Sequence, residues 1–393
     1  MSLLVTVTGP DHPGVTASLF DALGDTEFSD VEQVVVHGRL LLGFVVESDT
    51  PVIRDALTRA AAGLDVDVEF TPLVNDDEPV TNRHHVTVLG KPLPPSAIAA
   101  VARTLAEAGA NIESIRRLSS YPAPSYEMVV AGGDTATLRA GLAATAVRQQ
   151  VDIAVEPASL YRRARRLVVM DVDSTLVQGE VIEMLAAEAG CEGEVARVTA
   201  AAMAGELDFE ASLRARVALL AGLPTDAVDR VRAAIRLTPG ARTLVRTLKR
   251  LGYAVGIVSG GFTAVTDDLV AELGLDHALA NVLEVRDGVL TGDVVGAVVD
   301  RAAKAAALLR FAELEGLMPA QTVAIGDGAN DLDMLAAAGL GIAFNAKPIV
   351  RDAADAALSV PFLDAVLFLL GITREEIEAA DAADREGGAS TPS

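Results

Sequence analysis

The chain has no tryptophan and a single cysteine, Cys191, in 393 residues. One thiol excludes an internal disulfide and any cysteine-rich metal site. The five histidines, His12, His37, His84, His85 and His277, include no His-Glu-x-x-His spacing. Zinc chemistry and histidine acid–base catalysis therefore have little to stand on. Positive charge is also scarce, with 32 Lys and Arg against 55 Asp and Glu, a net charge of −23. A nucleic-acid binder needs clustered cations, so that class is excluded; the balance fits a soluble chain dispersed by self-repulsion. No apolar run approaches the about 18 residues of a membrane span. The start, Met1–Val7, lacks the basic region and cleavage site of a signal peptide. The chain reads as cytoplasmic, with neither membrane nor nucleic acid as partner. What remains plentiful is carboxylate, which suits magnesium and acid–base work.

At 51 % hydrophobic the chain is globular, and its length allows about two to four domains. Strand and helix periodicities alternate from the start. Leu3–Thr8 reads as a strand, Pro13–Leu23 as a helix, Val31–His37 and Leu40–Glu47 as strands turned at Gly38-Arg39, Pro51–Ala62 as a helix and Asp65–Phe70 as a strand. A polar linker, Asn75–Pro79, follows. The order βαββαβ then repeats over Val86–Val155, with Val5-Thr6-Val7 and Val86-Thr87-Val88 lying 81 residues apart. A duplication of a ferredoxin-like unit is the simplest reading. Arg162–Arg166 reads as a solvated linker or helix end.

From Leu167 the pattern becomes parallel α/β. Leu167–Met170, Tyr253–Val258 and Thr322–Ile325 are short apolar strands between long helical stretches, as in a doubly wound sheet. The helical block Glu180–Arg236, inserted after the first of them, reads as a cap over the sheet's C-terminal edge. The expected division is 1–76, 77–158, 159–375 with a cap at about 178–238, and a flexible acidic tail over 376–393.

Each of those three strands ends in residues that carry chemistry. The first ends at Asp171-Val172-Asp173-Ser174-Thr175. A carboxylate at the end of a buried strand is costly without a purpose. Asp171 can attack phosphorus and Asp173 can protonate the leaving oxygen, then deprotonate water. The second ends at Ser259-Gly260-Gly261, where backbone N–H groups and a hydroxyl can meet an anion. The third ends at Gly326-Asp327-Gly328-Ala329-Asn330-Asp331. Asp327 is placed to ligate a hard cation with Asp171, and Asp331 to support that site or orient Lys304. Lys304, one of four lysines, would offset the charge of Asp171 beside a bound phosphate. Cys191–Arg197 has the Cys-x5-Arg spacing of cysteine phosphatases, but Glu192 and Glu194 would repel a phosphate.

These four segments, in this order, resemble the motifs of the haloacid-dehalogenase superfamily of phosphatases over about residues 167–370. Within it, Gln178–Glu183, Met203–Phe209 and Ser212–Val217 resemble the phosphoserine phosphatases. The resemblance implies a HAD-like sheet with a helical cap, an aspartyl-phosphate intermediate, and release of L-serine from O-phospho-L-serine. It implies Mg2+, with Mn2+ as a possible substitute, held by Asp171, Asp327 and the Asp173 backbone carbonyl. It implies Glu180 on the substrate ammonium, Arg216 on its carboxylate, and Met203 and Phe209 as apolar walls. Phosphate contacts carry over to Ser259, Gly260 and Lys304, with Asn330 nearby. The two N-terminal units resemble ACT domains, on Gly9–Val15 and Ala108–Ile112. That implies L-serine or another amino acid as a ligand near Asp11, Gly14 and Gly109, and a homodimer. His12 reads as a turn residue. The rival readings are a phosphatase for another phosphomonoester and a non-catalytic amino-acid sensor.

Overall fold

The computed structural model describes residues 2–73, 82–159, 162, 164, 166–203 and 206–388, the side chains of Met203 and 385–388 excepted. The linker Asn75–Pro79 lies outside the described residues. The chain forms two compact units, Met1–Pro79 and Val80–Ser393.

The first unit is one antiparallel sheet backed by two helices. Its strands are β1 (Leu3–Pro10), β2 (Phe28–Val36), β3 (Arg39–Val46) and β4 (Asp67–Pro72), in the order β2-β3-β1-β4. Period-two alternation turns Leu3, Val5 and Val7 inward. They meet Leu19 of helix Val15–Leu23 and Leu57 of helix Pro51–Gly63. The second helix starts where the sequence says: the Thr50 hydroxyl accepts from Ile53 N at 3.3 Å, with Pro51 in the first turn. The β2–β3 turn sits one residue earlier than expected. His37 and Gly38, at φ 48° and 77°, supply its two left-handed residues. Every residue of β2 is exposed, and β2 is an edge strand.

The second unit repeats this pattern and continues it. β5 (Arg83–Leu89), β6 (Ala110–Ser119), β7 (Ser125–Gly132) and β8 (Asp152–Pro157) lie in the order β8-β5-β7-β6. Val5 pairs with Phe44 and Val86 with Met128, so the 81-residue repeat recurs as equivalent central strands. The sheet does not stop at β8. Through a single pairing, Ala356↔Ala154, it joins β15 (Ala356–Leu358) and six further strands. These are β9 (Leu167–Met170), β10 (Ala254–Phe262), β11 (His277–Arg286), β12 (Val289–Val295), β13 (Thr322–Gly326) and β14 (Leu340–Phe344), and the full order is β12-β11-β10-β9-β13-β14-β15-β8-β5-β7-β6. The second repeat and the parallel sheet therefore share one eleven-stranded sheet.

β9 lies in the middle of the parallel part, and all four of its residues are fully buried, as its unbroken apolar run requires. Four helices between β9 and β10, Val181–Ala189, Glu192–Met203, Phe209–Ala218 and Thr225–Ala234, form the inserted block. The hairpin β11–β12 and the strands β14 and β15 were not expected, because their apolar runs are short or polar-interrupted.

Two expectations are corrected. Arg162 and Arg166 are not solvated. Arg162 pairs with Glu127 and with Glu156 (2.9 Å), Arg166 with Glu156, and Arg116 with Glu127 at 3.0 Å. Burial alone would raise the Glu127 carboxyl, but His85, Arg162 and Arg116 hold it at about 2. Arg163 and Arg165 lie outside the described residues. The acidic tail is also not free from 376 onward. Helix Arg374–Gly388 buries Ile377, and Arg250 reaches Asp381 at 2.6 Å from helix Ala241–Arg250. Among the described residues no helix is long and apolar enough to cross a membrane.

Removing one member of a buried charge network leaves its partners uncompensated. Arg162→Ala should lower unfolding stability by about 3 kcal/mol, read from urea midpoints near neutral pH. The Glu127 carboxyl ionises more readily folded than unfolded. Its contribution is complete above the ordinary carboxylate range and is lost toward about pH 2, so the difference between the two proteins should narrow on acidification.

Candidate active site

Asp171 continues the β9 ladder by one residue, its N–H donating to the Ile325 carbonyl at 2.9 Å. This fixes its carboxyl at the C-terminal edge of the sheet, 3 % exposed. The chain then turns sharply through Val172–Leu176, with Ser174 at φ 57° and its N–H on the Gly179 carbonyl at 3.0 Å. Asp173 is drawn toward the cap: one carboxylate oxygen accepts from Val181 N at 2.8 Å, the other from the Ser259 hydroxyl at 3.3 Å.

Helix Arg301–Leu314 is capped by Asp300, whose side chain accepts from Ala303 N at 2.8 Å. Its first turn delivers Lys304, wholly buried, between two carboxylates. The ammonium lies 2.6 Å from Asp171 Oδ1 and 2.7 Å from Asp331 Oδ1. The other Asp331 oxygen accepts from Gly328 N at 3.1 Å. One oxygen each of Asp171, Asp327 and Asp331 lie within 4.8 Å of one another.

Two glycines are required by contact. A Cβ on Gly261 would stand 2.8 Å from Asp173 Oδ2 and 2.9 Å from Ser259 Oγ. A Cβ on Gly326 would stand 2.5 Å from the Asp331 carboxyl. The Ser259-Gly260-Gly261 segment belongs to β10 rather than to the next helix, which starts at Thr263. Ser259 Oγ accepts from Gly261 N at 2.7 Å.

Above these groups lies a cavity of about 490 Å3, lined by Asp171, Asp173, Glu180, Phe209, Arg216 and Asn330 among others. Gly260 lines it as well. Ser259 and Lys304 are buried beneath its floor rather than open to it. The Ser174 hydroxyl donates to Glu180 Oε1 at 3.0 Å, and Arg216 Nε donates to the Ser212 carbonyl at 3.3 Å. Met203 lies in the cap helix, with its side chain outside the described residues. Asp11 and Gly14 line a separate cavity of about 310 Å3 in the first unit. Gly109, at φ 72°, ends helix Pro95–Glu107 in the second unit. His12 holds the Leu64 carbonyl at 3.0 Å, as a turn residue does.

Five carboxylates, Asp171, Asp173, Glu180, Asp327 and Asp331, gather around one ammonium here, and the protonation equilibria show the imbalance. Burial, then the charge of Asp331, raises Asp171 well above the usual range. Burial also raises Asp173. Asp327 is pushed up to about 6 by burial and Asp331. Glu180 reaches about 7 by burial and the charge of Asp173. For Lys304 burial opposes the charge, but Asp171 and Asp331 outweigh it and keep the ammonium protonated. The set is all hard oxygen, net negative and close-packed, which fits a small divalent cation. Cys191 is the opposite of an activated thiol: burial, then Glu194, raises it, and helix Glu192–Met203 follows directly.

Sequence reasoning missed several members. Asn281, buried on β11, donates to the Gly260 carbonyl at 2.8 Å and accepts from Val299 N at 2.8 Å. Thr238 holds the Thr175 carbonyl at 2.7 Å, and Thr175 donates to Asp327 at 3.3 Å. Lys347 and Ile349 line the cavity from the start of the short helix Pro348–Arg351 after β14. The scarcity of lysine was the one signal that pointed to Lys347.

The family model for haloacid dehalogenase-like hydrolases matches residues 168–336, and ACT-domain models match 1–71 and 82–156. A phosphoserine phosphatase of Streptomyces coelicolor is 59 % identical over 97 % of this chain and 94 % of its own. One from Mycobacterium tuberculosis is 52 % identical over 98 % and 96 %. A substrate-bound phosphoserine phosphatase structure is 46 % identical, with TM-score 0.50 over 52 % of this chain and 98 % of its own.

Asp327 faces the cavity, with the Thr175 hydroxyl donating to one of its oxygens at 3.3 Å. If the acidic triad holds a divalent cation, Asp327→Asn should weaken its binding at least about tenfold, measured by calorimetry with Mg2+ as the probe.

Proposed function

The chain belongs to the phosphoserine phosphatase family of haloacid dehalogenase-like hydrolases, and from that premise we propose how its own residues divide the work. The observation that carries the assignment is the Asp171–Lys304–Asp331 bridge at the floor of the cavity. An ammonium fixed on Asp171 Oδ1 leaves Oδ2 as the oxygen that attacks phosphorus. Asp173 protonates the departing serine oxygen, and as the carboxylate it then removes a proton from the water that cleaves the aspartyl-phosphate. Its two hydrogen bonds, to Val181 N and Ser259 Oγ, aim it across the cavity mouth.

Asp171, Asp327 and the Asp173 carbonyl would hold Mg2+, or Mn2+ in its place. When bound, the ion offsets the negative charge of phosphate and carboxylates together. Gly260, with its carbonyl fixed by Asn281, and Asn330 would meet the phosphoryl oxygens. Lys304 contributes its charge from beneath the floor. Asp331 holds Lys304 in register.

Specificity comes from the cap. Glu180 and Arg216 line one cavity with opposite charges, as a zwitterionic serine head requires. Phe209 closes an apolar side and stands 3.1 Å from where a Gly260 Cβ would be. Closing the cap excludes water and opening it releases serine. The Asp11–Gly14 turn and Gly109 are the proposed amino-acid contacts of the ACT units, through which serine would lower turnover. The exposed β2 edge, with Phe28, Val31, Val34 and Val35, supports pairing with a second copy.

Phosphate release from phosphoserine, phosphothreonine and sugar phosphates tests the substrate, with phosphoserine expected to lead. Asp171→Asn should lower kcat by about 10^3-fold or more with an unchanged circular-dichroism spectrum. Glu180 must be ionised to hold an ammonium and does so near pH 7. The KM for phosphoserine should therefore rise as pH falls below about 7, and Glu180→Gln should show a high KM without that dependence.

A further inference from the structure

The parallel strand β14 ends beside β13, with Ala343 paired to Gly326, the residue before Asp327. The segment after β14 therefore emerges at the same edge of the sheet as the carboxylates. It reads Asn345-Ala346-Lys347-Pro348. A proline keeps the residue before it out of helical backbone, and Lys347 is extended, at φ −65° and ψ 155°. The Lys347 carbonyl accepts from Val350 N at 3.0 Å and from Arg351 N at 3.1 Å, and Val350 is fully buried. The backbone of Lys347 is thus anchored, while the residue stays exposed on the wall of the catalytic cavity.

The other three lysines are engaged. Lys304 bridges Asp171 and Asp331, Lys249 pairs with Asp276 at 2.5 Å, and Lys91 lies over the Phe362 ring at 5.9 Å. Among the described residues the Lys347 ammonium makes no hydrogen bond or ion pair.

The cavity has a use for a free cation. Asp171, Asp173, Glu180, Glu183 and Asp327 line it, against the cations Arg216 and Lys347. A phosphomonoester carries about two negative charges near neutral pH. It must cross the field of those carboxylates to reach the floor. Lys304 has no exposed surface, and Arg216 is given to the substrate carboxylate. Lys347 is then the exposed cation of the described lining that the phosphate can meet. Ile349, 65 % exposed, lines the cavity two residues further on. An apolar wall there lowers the local dielectric and concentrates the field of the ammonium.

We propose that Lys347 is a specificity-determining residue of the catalytic cavity, its ammonium attracting the phosphate dianion of the substrate against the carboxylate lining and holding it there. The proposal rests on the phosphatase reading for its substrate class. Its contact is with the phosphate, whereas Glu180 and Arg216 meet the amino-acid head. An attraction of this kind acts alike on bound substrate and transition state, so it lowers KM and leaves kcat as it is.

The test compares the full chain, with Mg2+ present, as wild type, Lys347→Gln, Lys347→Arg and Lys347→Glu. Lys347→Gln should raise the KM for phosphoserine about fivefold, the scale of one exposed charge acting on a dianion through water. Its kcat should stay within about twofold of wild type. Lys347→Arg should restore KM, and Lys347→Glu should raise it further than Lys347→Gln. The gap between wild type and Lys347→Gln should close as salt rises from about 0.05 M to about 0.5 M. Lys249→Gln changes the net charge equally but lies before β10, at the far edge of the sheet, and should leave KM unchanged. Calorimetric titration with inorganic phosphate should show the same weakening in Lys347→Gln, independently of turnover. An unchanged KM and phosphate affinity in Lys347→Gln overturns the proposal. So does a loss that falls on kcat, one that persists at high salt, or one that Lys249→Gln reproduces. A failed phosphatase reading would appear separately, as absence of phosphate release from phosphoserine by the wild type, and the phosphate titrations would still decide the role of Lys347.

Discussion

A single ammonium, buried beyond reach of water, holds the active centre together. Lys304 bridges Asp171 and Asp331 at 2.6 and 2.7 Å, and no part of it is exposed. Burial opposes the charge of Lys304, and the two carboxylates keep it protonated. Together they form a fixed charge array whose remaining imbalance is negative. That imbalance fits a divalent cation, and one Asp171 oxygen lies outside the lysine bridge. Buried networks of this kind tolerate the loss of no member, because each group left behind carries its own desolvation cost.

The close approach of these groups dictates the glycines around them. Gly261 and Gly326 lie where any side chain would collide with Asp173, Ser259 or Asp331. The bulk that is missing at the floor is restored above it by the cap, through Phe209, Leu213 and Ile182. A buried sheet edge carries the carboxylates, and the inserted helices wall the cavity above them.

The same economy of charge appears at the junction of the second repeat with the parallel sheet. One backbone pairing, Ala356↔Ala154, would be a weak joint. Arg162 and Arg166, with Glu127 and Glu156, reinforce it by ion pairs buried at the base of the connecting segment. Helix Arg374–Gly388 adds to this joint, its Arg374 donating to the Tyr121 carbonyl at 3.1 Å. The second repeat and the parallel strands are thus built on one sheet.

Strand-end motifs, the duplication at 81 residues and the cap insertion were legible in the amino-acid order alone. Periodicity and the placement of Asp, Gly and Ser after apolar runs are local signals, and they named Asp171, Asp173, Ser259, Lys304 and Asp327. Other features depend on which segments meet. Asn281 and Thr238 matter because β11 and the cap's return bring them to the backbone of Gly260 and Thr175. The arginine run reads as solvated until Glu127, far away in sequence, is folded against it. The acidic tail reads as free until Arg250 faces Asp381. A sequence records which side chains exist and how they are spaced. Only the tertiary fold decides which opposite charges are near enough to offset the cost of leaving water.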